Sequence, residues 1–272
     1  MKGKTVLVTG STDGIGQQSA LELARTGATV LLHGRNPSRG TAVLEYVRKE
    51  SRNEKIHLII ADFASLKQVR QMAEEIRTTY SGLGILVNNA GTYELERRLT
   101  EDGNEATFAV NHLAPFLLTN LLLDTLMNNA PSRIVNVSSV AHQNARFDAS
   151  NLQGEKRYEP YEAYALSKLA NLMFTYELAN RLQGTKITVN ALHPGVIDTK
   201  LLRAGFGSLR GRSVDDGAAR IVHLVSTPEL ENVSGKYFVN DRAESSSSQS
   251  RDARLRQQLW RISRMMVGLS ND

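Results

Sequence analysis

The chain has 272 residues, 41% hydrophobic and 22% charged, with a formal net charge of +5 and no cysteine. Length and composition are those of an ordinary globular chain with a sizeable core. Disulfides, thiol nucleophiles, zinc-thiolate sites and iron–sulfur clusters are excluded, and the six scattered histidines show no metal-ligand spacing.

After Lys4 the chain enters the apolar run 5–9 at once. No signal-peptide core precedes it, and no stretch nears the roughly 18 apolar residues of a membrane span. A cytoplasmic protein without a membrane span is expected. Further runs at 29–33, 56–60, 85–87, 133–137, 188–192 and 236–239 are rich in Val, Ile and Leu, as buried parallel strands are. Helical patterns lie between them at 15–25, 38–49, 66–79, 104–128, 162–182 and 214–226, with Asn36-Pro37, Ser65 and Ser213 as start signals. This alternation predicts an α/β fold. Its core is a doubly wound parallel sheet of about seven strands, order 3-2-1-4-5-6-7, in a single domain over 1–272. Segment 142–160 is polar and irregular, and 243–250 reads as a flexible serine-rich loop. A basic amphipathic helix near 250–267 is either packed on the core, a lid over the substrate, or a membrane-surface contact.

The strongest chemical signal is Tyr164 and Lys168 in Tyr-Ala-Leu-Ser-Lys. Four residues apart on a helix, they share a face one turn apart. A cation beside a phenol favours the phenolate, so Tyr164 is the candidate proton donor and acceptor. Gly10-Ser11-Thr12-Asp13-Gly14-Ile15-Gly16 joins the first strand to the first helix. Glycines there let the backbone approach a diphosphate, and the helix N-terminus offers free N–H groups. Asp13 puts an acid in this loop, unfavourable unless it points outward. The second strand ends in Arg35 where an acid would select NAD, so a 2′-phosphate and NADP(H) are predicted. Asp62, followed by Phe63, is a candidate for the adenine end, and Asn88-Asn89-Ala90-Gly91 for the ribose and nicotinamide side. Asn111 is out of place inside an apolar helix and is a candidate to hold a water near Lys168. Ser138 and Ser139 end the fifth strand, where a hydroxyl can polarise a carbonyl. Pro194-Gly195-Val196-Ile197-Asp198-Thr199 follows the sixth, placing Ile197 and Thr199 where a carboxamide could bind. No nucleic-acid footprint is present.

Taken together, these residues resemble the short-chain dehydrogenase/reductase family over essentially the whole length. The match rests on the glycine loop, Asn88-Asn-Ala-Gly91, Asn111, Ser139, Tyr164-x-x-x-Lys168 and Pro194-Gly195, in that order. The resemblance implies that Tyr164 is the general acid/base and that Lys168 holds the nicotinamide ribose and lowers the tyrosine pKa. It also implies that Ser139 positions the carbonyl and Asn111 anchors a proton-relay water. The stretches Arg133-Ile-Val-Asn-Val-Ser-Ser-Val-Ala-His142 and Ala163-Tyr-Ala-Leu-Ser-Lys-Leu-Ala-Asn-Leu172 are similar to the retinol dehydrogenase and WW-domain oxidoreductase branch. Members commonly use NADP(H), and many relatives dimerise through the helices carrying Asn111 and Tyr164. The 25 positions from Ser139 to Tyr164 match that branch, and the added length implies a pocket wall at 142–160. A small-molecule carbonyl or alcohol is the expected substrate. Leu201, Leu202, Phe206 and Leu209 favour a lipophilic, retinal-like aldehyde or ketone. A catalytically silent NADP(H)-binding sensor or scaffold is the alternative; sugar-nucleotide epimerase chemistry fits the glycine spacing less well.

Overall fold

The computed structural model describes residues 1–207 and 209–270. Eight strands form one sheet, ordered β3-β2-β1-β4-β5-β6-β7-β8. They are β1 Thr5–Val8, β2 Thr29–Gly34, β3 Ile56–Ile60, β4 Leu83–Asn88, β5 Ser132–Val137, β6 Ile187–His193, β7 Tyr237–Val239 and β8 Arg242–Glu244. The first seven run parallel in the expected order. The inner strands, with helices on both sides, bury nearly every residue, β4 throughout, which is why their sequences read as continuous apolar runs.

Alternate residues of each strand serve the two faces. On one face Val6, Val8, Val30, Leu32, Val87 and Val135 pack under α1 (Gly14–Arg25), α2 (Pro37–Ser51) and α8 (Val214–Ser226). On the other, Leu7, Leu31, Leu86 and Ile134 meet α3 (Leu66–Thr79), α5 (Ala114–Asn128) and α6 (Pro160–Arg181). The helix starts fall where the sequence places them. The side chains of Asn36, Ser65 and Ser213 accept from the amides of Arg39, Gln68 and Asp216, satisfying donors that the first turn leaves free.

Four expectations are corrected. β8 adds an antiparallel edge, because Asn240 and Asp241 both take positive φ (48° and 62°) and close a two-residue hairpin. The 243–250 run is ordered rather than a flexible loop: Ala243 lies in β8, Ser248–Arg251 forms α9, and Ser246 and Ser250 are buried. The single helix expected over 104–128 is α4 (Ala106–Phe108), a π turn at Ala109–Leu113 and then α5. The fourth concerns membrane spans. Ala106–Asn128 is apolar and long enough to cross a membrane, with mean hydropathy 1.4, yet 78% of that window is buried among neighbouring elements.

The basic amphipathic helix is α10 (Ala253–Met266), docked on α6. Trp260 is 5% exposed, edge-on to Phe116 at 4.9 Å, stacked with Phe174, and covered by the Arg181 guanidinium at 4.3 Å. None of its residues lines the large cavity described below. It is a packing helix rather than a lid.

Candidate active site

A cavity of about 540 Å³ opens at the C-terminal ends of the strands, over the point where the order turns from β1 to β4. Open α/β sheets bind ligands there, because connections leave in opposite directions and part the loops.

Its floor is the turn after β1. Thr9 Oγ1 donates to Val87 O and accepts from the amides of Asn89 and Ala90. Asn89 returns the contact, its amide donating to Thr9 O at 2.8 Å. This cross-bracing presses the two loops so close that a Cβ on Gly10 (φ +64°) would lie 2.7 Å from Ala90 Cα. His33, which the sequence did not single out, completes the frame. Its Nδ1 accepts from Gly10 N at 3.1 Å and its Nε2 donates to Ala61 O at 3.0 Å. Burial pulls it down to about 4, which keeps the neutral form that this donor–acceptor pattern requires. Phe63 stacks on the ring at 4.3 Å.

The cavity is lined by Gly10, Thr12, Asp13, Gly14, Ile15, Gly16, Arg35, Asp62, Phe63, Asn89, Ala90 and Gly91. Ser11 is the exception in the loop: it is fully buried and its hydroxyl accepts from His33 N at 2.8 Å, so it braces β2 instead. Arg35 reaches the rim at the end of β2. Asp62 accepts from Ala64 N, as a turn aspartate does, while facing the cavity. Asp13 caps α1 through Gly14 N and meets Lys200 at 2.7 Å and Arg39 at 3.4 Å. Partial burial raises its pKa, but Lys200, the Gly14 amide and Arg39 together hold it below the usual carboxylate value. Its charge is thus compensated where the sequence left it awkward.

The chemical end lies between β5 and α6. Ser138 touches the cavity but is buried, and its hydroxyl is spent in donating to Lys168 O. Ser139 faces Tyr164, and its Oγ also accepts from Ala141 N at 3.2 Å. Ser139, Tyr164, Lys168, Pro194, Gly195, Ile197 and Thr199 all line the cavity. Thr199 caps α7 (Lys200–Phe206), its side chain accepting from Leu202 N. Lys168 Nζ donates to Val137 O at 3.1 Å and sits 5.6 Å from the Tyr164 ring centre.

The electrostatics depart from expectation. Burial drives Tyr164 up to about 12, with Tyr161 and Tyr93 adding to the rise and the Ser139 hydrogen bond opposing it. Burial likewise pulls Lys168 down to about 8. Spacing alone implied a tyrosine acidified by its lysine. The side chains are instead nearly dry, the ammonium lies over the ring rather than at the hydroxyl, and desolvation dominates.

Asn111 lies next to this pair in the chain's π turn, fully buried, and its side chain has protein partners: Oδ1 accepts from Thr92 N, and Nδ2 donates to Thr92 O and Ser167 Oγ. It anchors the loop carrying Gly91 and does not line the cavity.

The remaining wall is aromatic. Tyr161 and Phe206 line it and meet edge-on, and Phe206 lies 6.1 Å from Tyr164 between ring centres; Tyr93, which is not part of the lining, packs on Tyr164 and Phe206 at 5.5 and 5.6 Å. Leu201, Leu202, Leu209, Val110 and Val140 complete it. Of the expected wall at 142–160 only Asn144 lines the cavity. Gln153 and Tyr158 instead clamp the Glu94 and Glu105 region. Tyr93 and Tyr161 were not legible as site residues, since neither sits in a motif.

A doubly wound sheet with a glycine cradle and a buried serine, tyrosine and lysine facing one cavity defines a nucleotide-binding oxidoreductase. The short chain dehydrogenase family matches residues 4–206, and the chain belongs to that family. It is 42% identical to mouse retinol dehydrogenase 13 over 283 residues, covering 98% of this chain and 85% of that protein. It is 37% identical to human polyprenol dehydrogenase over 282 residues, 98% and 86% of the two chains. Among solved structures, an uncharacterised Mycobacterium paratuberculosis protein superposes with a TM-score of 0.82 at 31% identity, over 99% of this chain and 95% of that one. A Burkholderia cenocepacia short chain dehydrogenase in complex with NADP gives 0.70 at 30% identity, over 87% and 96%.

Proposed function

We propose that the protein is an NADP(H)-dependent oxidoreductase that interconverts a lipophilic aldehyde or ketone and the corresponding alcohol. The observation that carries this reading is Ser139, Tyr164 and Lys168 meeting at the junction of the glycine-floored and aromatic ends of one cavity. The cradle suits a dinucleotide: Gly10, Gly14 and Gly16 line the cavity, and without side chains there the backbone is open to close approach by a ligand. The α1 N-terminus would hold the diphosphate. Arg35 would take the 2′-phosphate, Asp62 and Phe63 the adenine end, and Asn89, Ala90 and Gly91 the ribose side. Lys168 and Tyr164 would hold the nicotinamide ribose, and Pro194, Gly195, Ile197 and Thr199 the carboxamide.

Once bound, the dinucleotide supplies or accepts the hydride. In reduction Tyr164 protonates the carbonyl oxygen, and a phenol at about 12 is fully protonated at neutral pH and ready to donate. Ser139 donates to the same oxygen as charge develops on it. Lys168, at about 8, remains mostly an ammonium at pH 7 and stabilises the tyrosinate left behind. In the alcohol-oxidising direction Tyr164 must ionise first, so the burial that suits donation slows that direction at neutral pH. The Tyr161 and Phe206 wall, with Leu201, Leu202 and Leu209 beside it, favours apolar, extended or conjugated substrates.

The test is NADPH oxidation followed at 340 nm across retinal and aliphatic and aromatic aldehydes and ketones. Tyr164→Phe should lower kcat about 10²–10⁴-fold, while NADPH affinity, read by fluorescence titration, should weaken no more than about tenfold, the scale of one lost ribose hydrogen bond. Tight NADPH binding with no turnover on any carbonyl would favour the silent sensor instead.

A further inference from the structure

His142 lies three residues past Ser139, fully buried, and has no part in the chemistry above. Its surroundings fix its protonation pattern. Ser247 N is a donor and points at Nε2 from 3.2 Å, so Nε2 accepts. Nδ1 therefore carries the hydrogen and donates to Ser139 O at 2.6 Å. Burial lowers the ring's affinity for a second proton, against the pull of that carbonyl, and the neutral form persists.

The segment that supplies Ser247 is itself locked. Ser250 Oγ donates to Ser247 O, so Ser246 must donate to Ser250, and Tyr176 OH in turn to Ser246. Gln249 accepts from Phe147 N and donates to Ala145 O, gripping the chain just beyond His142. A chain of hydrogen bonds thus runs from α6 through the serine run to the histidine and on to the main chain of Ser139. Inside the cavity Ser139 Oγ has only the Ala141 amide and Tyr164 to hold it.

We propose that His142 is a positioning residue: it pins the Ser139 peptide to the 246–250 segment, so that the serine-rich run, remote from the cavity, sets the direction of the Ser139 hydroxyl. This rests on the reading of Ser139 as the group that polarises the carbonyl.

Two substitutions divide the relay. In His142→Asn the amide nitrogen stands near the Nδ1 position and retains the Ser139 contact; in His142→Gln the longer side chain reaches Ser247 but not the carbonyl. Ser247→Pro deletes the amide donor at a residue whose φ of −56° a proline accepts. His142→Gln should lower kcat at least about tenfold with NADPH affinity and carbonyl KM unchanged, since a small misplacement of a reacting group is costly in rate. Ser247→Pro should lower it about threefold or more, and His142→Asn should stay within about threefold of the parent. Amide hydrogen exchange at residues 140–145 should quicken in His142→Gln at an unchanged melting temperature, a readout independent of turnover. Parent-like kcat and exchange in both His142→Gln and Ser247→Pro overturn the proposal. Ser139→Ala separates the two readings: parent-like activity there refutes the Ser139 role, whereas a dead Ser139→Ala beside a fully active His142→Gln refutes the relay alone.

Discussion

Lys168→Met should make the fold more stable while removing activity. Burial lowers Lys168 to about 8 from its ordinary 10.5. The unfolded chain restores the ordinary value, so keeping the ammonium in the folded protein at neutral pH costs on the order of 3 kcal/mol at 1.36 kcal/mol per unit. Methionine retains the apolar stem without the charge. Val137 O loses the nearer of two side-chain donors, Asn171 Nδ2 remaining at 3.5 Å, a loss of about 1–2 kcal/mol. The net gain is about 1–2 kcal/mol, which for a domain of this size raises Tm by roughly 2–8 °C. The pH dependence gives the sharper check. Below pH 8 both states of the parent hold the proton and the penalty is complete. Between 8 and 10.5 the folded state releases the proton while the unfolded chain still binds it, so parent stability rises with pH. Above 10.5 the penalty is gone. Scanning calorimetry of parent and variant at pH 7 and pH 10 isolates this group by difference, and the gap should narrow at the higher pH. A variant less stable than the parent at pH 7, or a gap independent of pH, refutes the claim that desolvation dominates this pair.

Gly10→Ala should destabilise by about 2–4 kcal/mol, combining a left-handed backbone with a Cβ 2.7 Å from Ala90 Cα; urea unfolding measures it, and a change under about 0.5 kcal/mol would show that the two loops are not in the contact described. Trp260→Ala should cost about 3–5 kcal/mol with kcat unaltered in the surviving fold, because α10 touches the core and not the cavity; a selective change in substrate KM would restore the lid. Arg35→Ser should weaken NADPH about 10–100-fold, the scale of lost charge-assisted hydrogen bonds, and leave NADH unchanged in parallel titrations; equal losses for both would reject the selectivity assigned to Arg35.

Much of the site was legible because its parts are short and local. The glycine turn needs only a strand before it and a helix after it, and the 10–16 spacing declares both. Tyr164 and Lys168 needed only helical periodicity to share a face. Where a role depends on which way a side chain turns, the signal disappears. Ser138 and Ser139 are adjacent, chemically alike and both on the cavity lining, yet the Ser138 hydroxyl is spent on Lys168 O while Ser139 meets Tyr164. Asn111 was rightly suspected of a polar partner, but its amide serves Thr92 and Ser167. The serine run looked flexible because composition cannot reveal that Tyr176, 70 positions away, would bind it.

Chain order and hydrophobic period therefore determined the alternating strands and helices and the turns that carry the chemistry, since each follows from contacts between neighbours in sequence. A parallel sheet of doubly wound order is what that alternation packs into, although its β1–β4 pairing joins Val8 to Val87. Tertiary structure decided the rest. Desolvation depends on everything packed around a group, so only the fold could place Tyr164 near 12 and Lys168 near 8. Only the fold could gather Tyr93, Tyr161 and Phe206, from three separate segments, into one aromatic cluster around Tyr164.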